Sequence, residues 1–169
     1  MPTILAATGH RPHKLGGYGM EIELKLKRLA REYITAIKPD EAISGMALGW
    51  DMAFAEATIE LGIPLTAAIP HTSQANSWPV YEKQKWLTLI SKSSIRHVQM
   101  FSFGSVNNID EAFKARNEWM VNRCNHLVAL WNGSPSGTGH CVSYARRQKR
   151  PDLVIVNLWN KWIGGSNAH

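Results

Sequence analysis

The chain has 169 residues, of which 44% are hydrophobic and 19% are charged, with a formal net charge of +6 when histidines are neutral. This composition is typical of one globular domain and excludes a disordered chain, and no apolar run approaches the ~18 residues that cross a bilayer. We therefore expect no membrane partner. The N-terminus lacks a basic-then-apolar signal pattern and the chain has two cysteines, so we expect a cytoplasmic protein.

Short apolar segments alternate with segments of helical periodicity along the chain. The pattern predicts strands over 3–8, 41–44, 65–69, 95–101, 126–131 and 153–158, and helices over 20–37, 50–61, 79–91, 109–124 and 138–148. This alternation predicts a Rossmann-like three-layer α/β sandwich, a mostly parallel sheet with helices on both faces. Residues 1–160 are predicted to form a single domain, followed by a frayed tail over 161–169.

Glycines, hydroxyls, histidines and an arginine follow four of the predicted strands. The segments are Thr8–His13, Ser44–Asp51, Pro70–His71 and Asn132–His140. Because right-handed crossovers bring all strand-to-helix loops to the same edge of a parallel sheet, these segments predict one ligand site at that edge.

The segment from Gly133 to Gly139 follows a buried strand and opens a helix, and it contains Gly137 and Thr138. Free N–H groups at a helix start favour a phosphate, although a plain flexible turn explains the glycines equally well. His10 and Arg11 form a candidate phosphate clamp, unless Arg11 only packs in a surface loop.

Asp51 lies in the first turn of a predicted helix, after the glycines Gly45 and Gly49. It is the candidate carboxylate for ribose hydroxyls or for catalysis, although an aspartate there is often a helix-capping residue. Glu56 approaches the same site obliquely, a turn and a half further along. On the fourth helix, Arg116, Asn117 and Arg123 suggest a polar face, and a solvated face is the alternative.

Other residues offer weaker signals. Trp50, Trp78 and Trp131 are candidates for stacking a base, although tryptophans are more often core residues. The pairs Cys124/His126 and His140/Cys141 lack the spacing of a zinc knuckle, so we expect no metal and no cofactor.

Four motifs occur in order along nearly the whole chain: TGHRP at 8–12, SGMALGWD with a following AE at 44–56, RNEWMVNRCNHLVALWNG at 116–133 and GTGHCVSYA at 137–145. Together they resemble the YpsA-like branch of the SLOG superfamily, which includes the LOG phosphoribohydrolases and DprA-type proteins. The resemblance implies a Rossmann-like fold and a pocket for nucleotides or nucleotide-derived molecules such as ADP-ribose. It implies that this pocket is lined by Gly9, His10, Arg11, Gly45, Gly49, Asp51, Asn117, Arg123, Gly137 and Thr138.

LOG-type hydrolases resemble this chain but carry a glutamate two residues beyond the Gly-Thr pair. Here the segment reads Gly137-Thr138-Gly139-His140-Cys141, so LOG-like catalysis would need Asp51, Glu56 or Glu118 as the carboxylate.

Three functions follow as hypotheses. The favoured one is a sensor, carrier or sequestering protein for a nucleotide or nucleotide-derived small molecule. The second is a nucleotide N-glycosidase, with Asp51 beneath the sugar and His10 or His140 as the proton donor. The third, which is possible but not favoured, is single-stranded nucleic-acid binding, by analogy with the DprA-type proteins that the chain resembles. It rests on two basic patches, Lys25, Lys27, Arg28 and Arg31 in one segment and Arg146, Arg147, Lys149 and Arg150 in another. Assembly into a homo-oligomer is a further expectation, because the superfamily that the chain resembles often assembles through helices.

Overall fold

A computed structural model describes residues 1–93 and 109–164. Five strands form one sheet: β1 (Ile4–Gly9), β2 (Glu41–Ser44), β3 (Leu65–Ala67), β4 (His126–Leu130) and β5 (Val154–Asn157). These match five of the six predicted strands within one or two residues at each end. The sixth, predicted over 95–101, lies outside the described residues.

Six α-helices are described: α1 (Met20–Ile37), α2 (Trp50–Glu60), α3 (Val80–Lys92), α4 (Ile109–Arg123), α5 (Gly137–Arg147) and α6 (Trp159–Gly164). A short 3₁₀ helix, Pro12–Lys14, follows β1. The helix α6 extends into the predicted tail because Trp162 is buried against the core and Lys25 Nζ lies 4.0 Å from the centre of its ring. Within the described residues, no helix is long and apolar enough to cross a membrane.

The sheet is parallel throughout, with strand order β3-β2-β1-β4-β5. Ala6 is paired in register with Ile43 on one side and Leu127 on the other, and all three side chains pack on one face beneath α4 and α5. Leu5 and Val128 belong to the opposite face, which α1, α2, α3 and α6 cover. This is the three-layer α/β arrangement that the alternating sequence predicts.

The strand order fixes where a crevice opens. From β1 the chain crosses over to β2 through α1, whereas β4 is followed by α5 on the other face of the sheet. The loops leaving β1 and β4 therefore diverge, and in open α/β sheets ligands bind at such a switch in strand order, beyond the carboxyl ends of the strands.

Candidate functional site

A cavity of about 580 Å³ opens beyond the carboxyl ends of β1 and β4. Its walls come from the β1 loop, the start of α2, one face of α4 and the start of α5. The described residues that line it are Thr8, Gly9, His10, Arg11, His13, Lys14, Ala47, Asp51, Asp110, Phe113, Lys114, Arg116, Asn117, Ser136, Gly137, Thr138 and His140. This volume lies within the range of ligand pockets, about 300–1,000 Å³.

The first turn of α5 forms one end of the cavity. Ser136 is its N-cap, and the Ser136 Oγ accepts a hydrogen bond of 3.1 Å from the Gly139 N–H. The Asn117 side chain donates to the Gly137 carbonyl at 3.1 Å and so joins α4 to this turn. The N–H groups of a helix's first turn have no acceptor inside the helix, which makes this end a suitable site for an anion.

Asp51 lies in the same cavity, in the first turn of α2, and is only 5% exposed. Its Oδ1 atom is buried and has no hydrogen-bond partner within the described residues. Burial raises the pKa of Asp51 to about 6, and the positive charge of Arg116 and nearby backbone N–H groups limit the rise. Asp51 is therefore a buried acceptor at the cavity wall, and a hydrogen bond from a ligand to it stays a prediction.

Arg116 is a second buried charge at the site, also 5% exposed. Its Nη1 donates to the carbonyl oxygens of Gly45 at 2.6 Å and Ala68 at 3.1 Å, and its Nε donates to Asn117 Oδ1 at 3.1 Å. Burial lowers the pKa of this guanidinium, and the charge of Asp51 opposes that effect. Arg116 thus holds the ends of β2 and β3 against α4 and adds positive potential next to Asp51.

His10 is buried at the end of β1 and its ring packs edge-on against Trp159. The Asn132 N–H donates to His10 Nε2 at 3.0 Å, and Asn132 Oδ1 lies 2.9 Å from the same nitrogen. Burial lowers the pKa of His10, and the hydrogen bond with Asn132 opposes this shift, so the neutral ring is favoured. These contacts support a positioning role for His10, and its role as a proton donor stays a prediction.

Positive charges outnumber negative charges around the cavity. Arg11, Lys14, Lys114 and Arg116 line it, against the carboxyl groups of Asp51 and Asp110. Lys14 Nζ also donates to Ser134 Oγ at 3.2 Å, which links the β1 loop to the loop after β4. The electrostatic balance favours an anionic ligand.

The structure brings eight of the predicted site residues together around this cavity. They are Thr8, Gly9, His10, Arg11, Asp51, Asn117, Gly137 and Thr138. Their convergence agrees with the geometric rule for parallel sheets, and their roles toward a ligand stay predictions.

Three predicted glycines shape the backbone next to the cavity. A Cβ on Gly45 would lie 2.7 Å from Arg116 Nη1 and 2.9 Å from Asp51 Oδ2, so only glycine leaves room for both charged groups. Gly49 has φ +91° and a Cβ there would lie 2.6 Å from the His10 carbonyl oxygen. Gly139 lies one residue beyond Thr138, where a Cβ would be 3.1 Å from the Ser134 carbonyl oxygen.

Three predicted ligand-binding residues lie away from the cavity. Glu56 pairs with Lys27 at 3.1 Å and with Lys85 at 2.9 Å, because α1 and α3 cover its side of α2. Arg123 is exposed at the far end of α4, with its guanidinium 4.9 Å from the centre of the Trp119 ring. Gly133 has φ +89° and no described atom within 4 Å of a Cβ placed there, so it serves the turn itself.

The sequence reasoning missed three residues of the α4 wall, namely Asp110, Phe113 and Lys114. They line the cavity together with Arg116 and Asn117, which the sequence placed on a candidate polar face of this helix. The spacing of positions 110, 113, 114 and 117 is that of one helix face, which is the signal that could have identified them. Within the described residues, no group of three histidine, cysteine or acidic side chains is arranged to hold a metal ion.

Comparisons with known proteins complete the description. No model of a known protein family matches the chain. The chain is 26% identical over 140 residues to the uncharacterized SPbeta prophage-derived protein YoqJ of Bacillus subtilis (strain 168), covering 76% of this chain and 82% of that protein.

Two solved structures of DNA processing protein A (DprA) are similar in fold. The Streptococcus pneumoniae protein superposes with a TM-score of 0.61 at 16% identity, over 92% of this chain but only 50% of its own. The Helicobacter pylori protein, described for its single-stranded DNA binding mode, superposes with a TM-score of 0.60 at 17% identity, over 99% of this chain and 74% of its own. The chain has the Rossmann-like fold of DprA. At these identities the likeness concerns the fold alone.

Proposed function

We propose that the protein binds a nucleotide or a nucleotide-derived molecule in the cavity beyond β1 and β4, as a sensor, carrier or sequestering protein. One observation carries this proposal: the same cavity holds a helix N-terminus surrounded by cations and a buried carboxylate whose Oδ1 lacks a partner. A phosphorylated sugar presents the complementary chemistry, an anionic phosphate and hydroxyl donors. The four sequence motifs support membership of the YpsA-like branch within this fold.

In this proposal each wall has its own role. The N–H groups of Gly137 and Thr138, the Thr138 hydroxyl and the side chains of Arg11 and Lys14 hold the phosphate. Asp51 accepts a hydrogen bond from a sugar hydroxyl at the cavity wall.

The test is a binding panel of nucleoside monophosphates, NAD, ADP-ribose and cyclic nucleotides, scored by co-elution and by calorimetry. We expect Arg11→Ala and Thr138→Ala to weaken binding by about tenfold or more, since each removes a contact to the phosphate. Arg123→Ala is the matched control, because it removes an arginine that lies outside the cavity. Equal effects of Arg11→Ala and Arg123→Ala would contradict the proposed site.

Hydrolysis of the N-glycosidic bond is a second candidate, and the position of Asp51 favours it. An oxocarbenium-like transition state is stabilised by a carboxylate beneath the sugar, and a pKa of about 6 leaves most of Asp51 ionised at pH 7. The same panel, scored for release of the free base, distinguishes hydrolysis from binding. Base release that is lost in Asp51→Asn establishes a glycosidase, whereas a ligand recovered intact establishes a binding protein.

Single-stranded nucleic acid is a third candidate, supported by the DprA-like fold and the net charge of +6. A polynucleotide would contact many phosphates, so the logarithm of its affinity would fall steeply and linearly with the logarithm of salt concentration. A mononucleotide held in one cavity would show a slope near one or two. Binding of oligonucleotides of increasing length, measured at several salt concentrations, distinguishes a polynucleotide ligand from a mononucleotide. Light scattering of the same samples tests the expected homo-oligomer.

A further inference from the structure

The α4 wall of the cavity contains an aromatic side chain. Phe113 is the only phenyl, phenol or indole ring among the described residues that line the cavity. Its ring is half-buried, and the exposed side chains of Asp110 and Lys114 lie beside it on the same face of α4. An aromatic ring among the cations of this cavity calls for an explanation that a bare phosphate does not provide.

Two neighbours hold the Phe113 ring in place. The buried guanidinium of Arg116 lies 5.4 Å from the ring centre and is itself fixed by hydrogen bonds to two carbonyls. His71 packs edge-on at 5.6 Å, with its Nδ1 3.0 Å from Ser73 Oγ. Both of these contacts come from groups that are themselves held, so the orientation of the ring is set before any ligand arrives.

Arg11 contacts the same ring from the mouth of the cavity. Its guanidinium carbon lies 5.8 Å from the ring centre, and the side chain is exposed. Arginine and phenylalanine are both planar groups on which a nucleobase stacks. Together they offer a base one fixed surface and one movable surface.

We infer that Phe113 forms a base-stacking subsite, in which the nucleobase of the ligand lies against the phenyl ring and beside the Arg11 guanidinium. The inference rests on the proposed function. It adds a binding surface for the nucleobase, the part of the ligand to which the phosphate and sugar contacts assign no residues. Asp110 and Lys114 supply an acceptor and a donor for the edge of the base. The ligand class is therefore a nucleotide with an intact base, not a sugar phosphate.

Calorimetry with AMP, GMP, CMP, UMP and the base-free probe ribose 5-phosphate tests this subsite. Base–aromatic stacking contributes about 1–3 kcal/mol, so Phe113→Leu should weaken binding of the nucleotides by about tenfold while leaving ribose 5-phosphate unchanged. Phe113→Tyr keeps the ring and should retain nucleotide affinity. Trp119→Leu is the matched control, an aromatic of the same helix that does not line the cavity.

The outcomes separate this inference from the proposed function. Equal losses for nucleotides and ribose 5-phosphate in Phe113→Leu, or no loss for either, overturn the base-stacking subsite and leave the phosphate site standing. Failure of these five probes and of NAD, ADP-ribose and cyclic nucleotides to bind the unaltered protein overturns both. A Phe113→Tyr variant that is folded by circular dichroism yet loses nucleotide affinity also overturns the stacking role.

Discussion

Replacement of Asp51 by asparagine should make the protein more stable at neutral pH. The carboxyl group is buried, and its pKa is raised from the ordinary value of 3.8 to about 6. A carboxyl group with a raised pKa binds its proton more tightly in the folded state than in the unfolded state. Stability therefore falls as pH rises from 3.8 towards 6, and the full cost of ionisation is present above that window.

The size of the effect follows from the shift in pKa. The difference between 3.8 and about 6, at about 1.4 kcal/mol per pKa unit, corresponds to about 3 kcal/mol. Asparagine has nearly the same shape and carries no charge, so it should recover most of this free energy. For a domain of this size the gain amounts to a rise in Tm of about 6–12 °C.

Urea denaturation at about pH 4 and about pH 8 measures the free energy of unfolding of each variant. We expect the advantage of Asp51→Asn over the unaltered protein to be larger at pH 8 than at pH 4 by about 2.5 kcal/mol, because a small part of the cost is already present at pH 4. Asp110→Asn is the matched control, an exposed aspartate of the same cavity that should shift stability little at either pH. An advantage of the same size at both pH values would refute the reasoning, and so would a larger one in acid.

Three further predictions concern residues around the site. Arg116→Met should lower the free energy of unfolding by about 3 kcal/mol or more, measured in urea. The carbonyls of Gly45 and Ala68 each lose a buried hydrogen bond, although Gln74 still donates to Gly45, and the Asp51 carboxylate loses its neighbouring positive charge. Gly49→Ala should lower the free energy of unfolding by roughly 2 kcal/mol or more, because Gly49 has a positive φ and a Cβ there would clash with backbone atoms. Gly133→Ala should lower it by only about 1 kcal/mol in the same assay, because Gly133 has a positive φ but open space around it. Glu56→Gln should lower the free energy of unfolding by about 1 kcal/mol at low salt, and therefore lower Tm slightly, because two ion pairs are lost. It should leave nucleotide affinity, measured by calorimetry, unchanged. A loss of affinity would show that Glu56 belongs to the site.

The strands and helices could be predicted from the sequence where periodicity and chain punctuation agree. The helix α1 is bounded as predicted because apolar positions repeat at helical spacing and Pro39 follows its end. The helix α6 was missed because it has only six residues, and what stabilises it is tertiary. Trp162 is buried beneath Lys25, a contact between residues far apart in the chain.

The site was predictable to the extent that it depends on topology. Loops that follow parallel strands meet at one edge, which is why Arg11, Asp51 and Thr138 converge although they are distant in sequence. Helix faces were harder to assign. Spacing along α2 places Glu56 near Asp51, but it does not tell which helix covers that position, and Lys27 and Lys85 turn out to be its neighbours.

Arg116 shows a different limit of sequence reasoning. A buried arginine and a solvated one have the same local pattern, because what separates them is the set of carbonyl oxygens that the fold places around the guanidinium. Here the ends of two strands supply those oxygens, Gly45 from β2 and Ala68 from β3. The missing side chain at Gly45 is what lets the guanidinium and the Asp51 carboxylate share the space.

The two buried charges of the site, Arg116 and Asp51, differ in how many hydrogen bonds they make, and this difference bears on the proposed function. Arg116 donates to three acceptors, whereas Asp51 Oδ1 has none within the described residues. A buried acceptor without a partner costs about 1–3 kcal/mol, so the fold alone would be more stable without it. Under the proposed function, a sugar hydroxyl that reached this oxygen would offset that cost, and the buried carboxylate would then serve ligand binding rather than stability.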